Sequence, residues 1–286
     1  MGKYNRTKCG RHHYIMTLIF TLVSLYAIVA FTFLSFYFIA REDAVRLGEV
    51  SVSEQSEKLN NFLLRGKDVV EVVKISIEHM METDASVDEI QLYLTHQSRE
   101  YSEKIDENFT GIYALYKGEY VDGMGWTPSD DYDPISRPWY EAAKKADGKP
   151  VIVSPYIDAQ TDKIMISISQ MLSDKESVIS LDIAMDDMQD FAESINLNGN
   201  GYGFIIDEEG MVVAHSDESQ RGKNYLYDGD MQGTKMQEIV RKVIDSDGKT
   251  VNVRINGEDS RVFSKVVQGR WHVVMIVNVH DLFKKV

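Results

Sequence analysis

Three short segments carry the side chains best suited to chemistry: Tyr132-Asp-Pro-Ile-Ser-Arg137-Pro-Trp139-Tyr140, Pro155-Tyr156-Ile-Asp158 and Leu181-Asp182-Ile183. A guanidinium forks onto a carboxylate, and an indole N–H adds a further donor. Carboxylates beside an aromatic face suit an ammonium ion. A pocket with those two chemistries at opposite ends selects zwitterions. The same residues also admit a purely packing role, in which Trp139 and Tyr140 fill a core, Arg137 pairs with a neighbour such as Asp133, and Asp182 ends a strand. As paired carboxylates, Asp158 and Asp182 also fit an extracellular hydrolase of the glycosidase kind.

Other chemistry is thinly represented. No GxSxG, HExxH, P-loop or dinucleotide fingerprint is present, and the seven histidines lack a paired metal spacing beyond His12-His13. No catalytic residue, metal or cofactor is therefore expected. The only cysteine, Cys9, lies in the basic N-terminal stretch, so the rest of the chain has no thiol for a disulfide or a zinc-thiolate site. The run from Asn196 to Asp207 imitates a calcium-loop spacing, but its first ligands would be neutral amides, and a glycine-rich turn fits it better. Asp228 to Gly233 begins in a similar way and then sets Glu238 one residue short of the bidentate position, which reads as a helix start. His215, at the end of a strand-like run, is expected to bond a neighbouring turn rather than a ligand.

These residues need elements to hold them. Tyr14 to Ala40 is uncharged, and roughly 25 residues of helix at ~1.5 Å each exceed the ~30 Å hydrocarbon thickness of a bilayer. Its length and the Phe38 at −3 from Ala40 favour a retained anchor over a cleaved signal peptide. Lys3, Arg6, Lys8 and Arg11 precede the run, so the positive-inside rule puts the N-terminus in the cytoplasm and everything after about Arg41 outside. Because those cations sit before the run, the body beyond it is more acidic than the chain's formal −14. Such a body repels phosphate backbones and anionic lipid headgroups, so neither nucleic-acid binding nor docking on a membrane surface is expected. With 43% hydrophobic residues it can bury a real core.

From Arg41 to about Glu82, Leu59, Phe62, Leu63, Val69, Val70, Val73 and Ile77 recur at helical spacing, which predicts a long amphipathic helix. Aromatic and β-branched runs follow at 111–116, 151–156, 163–169 and 177–183, predicting one antiparallel sheet. Arg137 to Ala146 between them reads as a short helix with proline in its first turn. After a linking helix near 185–194, a second and smaller unit is expected: a strand pair turning at Asp207–Gly210, a helix near 231–244, and three further strands with a hairpin at Asn256-Gly257.

A membrane anchor, a long helix, one sheet unit and then another resemble the double-Cache (dCache_1) sensor domains of bacterial chemoreceptors, histidine kinases and diguanylate cyclases, over about Arg41 to Lys285. The three segments quoted first resemble the ligand motif of the amino-acid-binding subgroup. The resemblance implies an α+β fold: an N-terminal transmembrane helix, a long amphipathic helix, and two PAS-like antiparallel-sheet subdomains. The expected divisions are a cytoplasmic N-terminus at 1–14, a transmembrane helix at 15–40, a long helix with a membrane-distal subdomain holding the ligand site at 41–190, and a membrane-proximal subdomain at 191–286. It further implies Arg137 and Trp139 on a ligand carboxylate, Tyr140, Asp158 and Asp182 on its ammonium group, and Tyr132 and Tyr156 completing the pocket. The chain departs from the pattern at Ser180, where glycine is frequent, and at Gln170, where proline is common.

The expected function is thus the extracytoplasmic sensing region of a bacterial signalling receptor, its partners a small molecule, most readily an L-amino acid, and a second copy of the chain along the long helix. An amine, purine or carboxylate is the alternative ligand, and a protein-binding subunit or membrane-anchored hydrolase the alternative class. The resemblance also implies a second membrane helix and a cytoplasmic output domain after Val286, or a separate output partner.

Overall fold

The computed structural model describes residues 4–161, 164–183, 186–197, 199–227, 236–268 and 270–282. The anchor and the amphipathic helix expected after it are one element, α1 (Tyr4–Glu82), 79 residues long. No proline and few glycines interrupt it. Its first half exposes large apolar side chains all round, from Tyr14 to Ile39. Its second half buries one stripe, Val52, Leu59, Leu63, Val70, Val73 and Ile77. It is the one helix among the described residues long and apolar enough to cross a membrane.

Next comes α2 (Val87–Lys104), started by a capping box in which Ser86 accepts from the Glu89 N–H and Glu89 reaches back to the Ser86 N–H. Then follow β1 (Phe109–Tyr116), β2 (Glu119–Asp122), α3 (Pro138–Ala146), β3 (Val151–Ile157), β4 (Ile164–Met171) and β5 (Val178–Ile183). A linking helix, α4 (Asp186–Ser194), leads to β6 (Tyr202–Ile206), β7 (Val212–His215), α5 (Met236–Asp245), β8 (Val251–Ile255), β9 (Glu258–Val267), β10 (Trp271–Asn278) and the single turn α6 (Val279–Leu282). Asp228 to Gly233, read from sequence as a helix start, lies outside the described residues.

Both sheets are antiparallel and five-stranded, with orders β2-β1-β5-β4-β3 and β7-β6-β10-β9-β8. The second unit, expected to be smaller, repeats the strand order of the first. Its turns are those expected. Asp207 accepts from the Glu209 and Met211 N–H groups between β6 and β7, and Asn256 and Gly257 both take positive φ between β8 and β9.

Alternation along the strands gives the first sheet two different faces. Ile112, Ala114, Ile166, Ile168, Ile179 and Leu181 join the core beneath α1 and α2. Tyr113, Leu115, Val153, Met171 and Val178 pack instead with Trp139, Tyr140 and Ala143 of α3. Helix α1 approaches both sheets closely. A Cβ on Gly66 would lie 2.5 Å from the Ile168 side chain of the first sheet, and one on Gly48 would lie 2.4 Å from Phe263 of the second. Polar ties reinforce this seat: Gln170 donates to Glu71 of α1 and to the Gly148 carbonyl, and Lys67 donates to Gln268. Gln170 therefore lies on the α1 face of the sheet, and Ser180 on the opposite face spends its hydroxyl on Ser169 at 2.7 Å.

Gly123 seats α2 against the edge of β1. A Cβ there would meet Ser98 Oγ at 2.1 Å and the Ile112 and Leu94 carbonyl oxygens at 2.6 and 2.7 Å. Backbone cannot yield as a flexible side chain would, so Gly123→Ala is expected to cost about 1–3 kcal/mol of stability. Thermal unfolding checks this, and an unchanged midpoint would contradict it.

Candidate ligand site

The pairing register builds a polar patch on the α3 face of the first sheet. Asp182 on β5 stands opposite Gly111 of β1 and Ser167 of β4, and Tyr156 on β3 stands opposite Met165. Tyr113 and Ser167 both donate to Asp182 Oδ1, at 2.9 and 2.5 Å, and Tyr156 bonds both of them, at 3.1 Å to Tyr113 and 2.7 Å to Ser167. A register irregularity in β3 between Val153 and Tyr156 turns Tyr156 into this group.

Arg137 is placed by two prolines. Pro138 holds it in an extended conformation, φ −82° and ψ 146°, at the N-cap of α3, and Pro134 starts the turn before it, which Asp133 caps through the Ile135 N–H. Its guanidinium stands between two rings, 5.8 Å from the centroid of Tyr132 and 5.8 Å from that of Tyr156. One Nη donates to the Ile157 carbonyl at 2.7 Å, while Nε is buried without a hydrogen-bond partner. No ion pair joins it to Asp133 among the described contacts.

Trp139 is buried, donates to the Tyr132 hydroxyl at 3.4 Å and crosses the Tyr113 ring edge-on at 5.1 Å. Tyr120 and Trp126 extend this aromatic group beyond Tyr132. Tyr140 departs from it: the hydroxyl donates to the Glu176 carbonyl at 3.2 Å, toward the β4–β5 turn. Asp158 closes a turn after β3 by accepting from the Thr161 N–H and hydroxyl.

Beside this patch lies a cavity of about 550 Å³, of a size that takes a small ligand. Asp158 and Asp182 line it, together with Tyr113 and Asp122. Arg137, Trp139, Tyr132, Tyr140 and Tyr156 are not among its lining residues; Tyr156 connects to the wall through its hydroxyl bond to Tyr113. The sequence did not single out Tyr113, Ser167 or Asp122, because they lie in strands whose apolar neighbours dominate. Nor did it single out Glu218 and Arg221, which reach the cavity from the second unit and pair with each other at 2.9 Å.

Electrostatics concentrate on Asp182. Burial pushes its carboxyl up to about 7; the Ser167 and Tyr113 hydroxyls pull the other way, and nearby Asp158 and Asp122 push it further up. Its residual exposure comes from the cavity it lines. Burial first, and then Asp182 itself, drive the Tyr113 and Tyr156 hydroxyls well above the usual phenol range, so both remain donors.

Among the described residues, the second unit has no equivalent polar patch. His215 is buried on the Phe204 ring at 5.5 Å and accepts from the Asp217 N–H at 2.8 Å, and burial lowers its imidazole to about 4. It is a neutral packing group bonded to the neighbouring turn, as its position in the sequence suggested. Asn196 and Asp207 likewise spend side-chain oxygens on local N–H groups.

The family model described as Cache domain (dCache_1) matches residues 38–286. The chain is 30% identical over 156 residues to the methyl-accepting chemotaxis protein McpB of Bacillus subtilis (strain 168), an alignment covering 53% of this chain and 22% of McpB. It spans about a fifth of the length of the first curated relatives it matches. Among solved structures, the sensory domain of the Campylobacter jejuni chemoreceptor Tlp3 with isoleucine bound superposes with TM-score 0.65 at 14% identity, covering 87% of this chain and 97% of that one. The ligand binding domain of the Pseudomonas aeruginosa PAO1 amino acid chemoreceptor PctB, in complex with L-Gln, superposes with TM-score 0.62 at 19% identity, covering 86% and 93%. At such identities the likeness is one of fold.

Proposed function

The chain belongs to the Cache-domain family, and on that premise we propose that it is the extracytoplasmic ligand-sensing region of a bacterial transmembrane chemoreceptor, recognising an L-amino acid in the cavity of its first unit. One observation carries the ligand reading. A half-buried carboxylate held by two hydroxyls, Asp182, lines the cavity, and Tyr156, hydroxyl-bonded to the lining residue Tyr113, stands with Tyr132 against an arginine that has an unpartnered buried donor. The ammonium group would lie against Asp182 and Asp158, and the carboxylate would draw on Arg137 and Trp139, with Tyr132 and Tyr156 as the flanking rings. Tyr140 would join the ammonium side only by leaving the Glu176 carbonyl.

On this reading α1 spans the membrane between about residues 15 and 40, with the body outside, and pairs with its copy in a homodimer. Ligand binding would draw α3 toward the sheet and the Glu218–Arg221 turn of the second unit onto the cavity. That shift requires a ligand that binds the closed state more tightly than the open one. The divisions proposed at 41–190 and 191–286 would then act as membrane-distal sensor and membrane-proximal relay.

A second reading has its own support. Asp122, Asp158, Asp182 and Glu218 outnumber the one arginine, Arg221, on the cavity wall, and such a lining suits an amine without a carboxylate. Thermal shift of the full chain in detergent against amino acids, amines, purines and organic acids separates the two. A ligand at 100 times its Kd stabilises the native state by about 2.7 kcal/mol. Shifts with L-amino acids are expected; shifts with amines alone would replace this reading by the second, and none at all would sink both.

A further inference from the structure

A second cleft, of about 500 Å³, lies where α1 leaves the apolar run. Arg41, the first charged residue after Ala40, lines it with Lys242 of α5, Arg254 of β8 and Arg261 of β9. In a chain with a formal charge of −14, four cations in one cleft are unusual. Glu238 and Asp259 line the same cleft, where the four cations outnumber the two carboxylates. Lys242 pairs with Glu238 at 2.8 Å and Arg254 with Asp259 at 3.3 Å, while Arg261 keeps a buried Nε without a hydrogen-bond partner. Burial, and then the charge of Arg41, push the Arg261 guanidinium below its usual range, with Glu49 acting in the opposite sense. Two guanidiniums that repel each other across a cleft are relieved by an anion placed between them.

Position identifies the anion. A helix rises ~1.5 Å per residue, and the headgroup layer on each side of the hydrocarbon is several ångströms deep. Arg41, one residue beyond the uncharged run, therefore sits at headgroup level when that run spans the bilayer. Guanidinium forks match phosphate oxygens in pairs. We propose that the cleft between α1, α5 and the β8–β9 hairpin binds a phosphate group, presented by the headgroup of a membrane lipid. The inference rests on the membrane-spanning reading of α1 and is independent of which ligand the first unit takes.

The test is native mass spectrometry of the full chain released from detergent, titrated with phosphatidylglycerol, beside a thermal-shift titration with inorganic phosphate. Wild type is expected to retain one lipid per chain, and Arg41→Gln/Arg261→Gln to need about 30-fold more lipid for the same occupancy, two cations having been removed near the surface. Arg254→Gln, whose side chain is 71% exposed and whose loss leaves the core intact, is expected to weaken retention less. Equal retention by wild type and the double variant would overturn the site. Inorganic phosphate shifting the wild type without any retained lipid would keep the phosphate site and overturn its lipid source.

Discussion

Asp182→Asn is expected to abolish the amino-acid response and at the same time to make the unliganded protein more stable at pH 8. Asparagine keeps an oxygen for the Ser167 and Tyr113 hydroxyls and removes the buried charge. The sign follows from linkage. The native carboxyl titrates at about 7, against an ordinary value of 3.8, so the native state holds a proton that the unfolded state has released. Stability from this group is complete below about pH 4 and is lost as pH rises to about 7, at ~1.4 kcal/mol per unit, a few kcal/mol in all. At pH 8 the variant should melt several degrees above wild type, and at pH 4 the two should nearly coincide. The ligand loses its anionic partner, and removing one member of a buried charge pair costs about 2–5 kcal/mol, or roughly 30-fold to several thousand-fold in affinity. Wild-type affinity should for the same reason fall about tenfold per pH unit below 7. Calorimetric titration and thermal melts at both pH values check this; an undiminished ligand affinity, or a gap in melting temperature that is the same at pH 4 and pH 8, would refute the assignment of Asp182.

Arg137→Ala has the second largest expected effect, and it sorts ligands by class. The guanidinium is held between the Tyr132 and Tyr156 rings and the Ile157 carbonyl, so its geometry is fixed before a carboxylate arrives. Losing it should weaken L-amino acids at least about 100-fold. Binding of the corresponding amines, which lack the carboxylate, should change by less than about threefold, because Asp158 and Asp182 remain. Equal losses for both classes would mean that Arg137 supports the pocket wall rather than reading the ligand.

Much of this architecture was legible in the residues, and the parts that were not share physical causes. Long β-branched runs such as those of β4, β5 and β10 announce themselves, and Asn256-Gly257 announces its hairpin. Helix α2 was missed because only Ile90 and Leu94 among its large aliphatic residues are buried, too thin a stripe to show as a period; the Ser86–Glu89 capping box was the available signal. Strand β2 has four residues, and the turn before it is Lys117-Gly118, both at positive φ, with lysine where asparagine or aspartate would have marked it. Residue types pointed to Arg137, Asp158 and Asp182 as candidates, but the partners of Asp182, Tyr113 and Ser167, depend on strand register. The approach of Arg221 depends on how one unit meets the other, which no local pattern encodes.

The seats of Gly66 and Gly48 on two different sheets have a mechanical consequence. Helix α1 is a rod about 120 Å long with no proline joint between Tyr4 and Glu82. Gentle curvature aside, a rod of this kind resists stretch and twist, so under the proposed sensing role a sliding or rolling step made where Ile168 meets it would reach Arg41 with little loss. Successive residues are rotated by about 100°, so the spacing between the two grips fixes the angular phase with which each sheet faces the bilayer. Distance to the membrane would then cost the signal little amplitude, while its direction would be set by how many residues separate the two glycines.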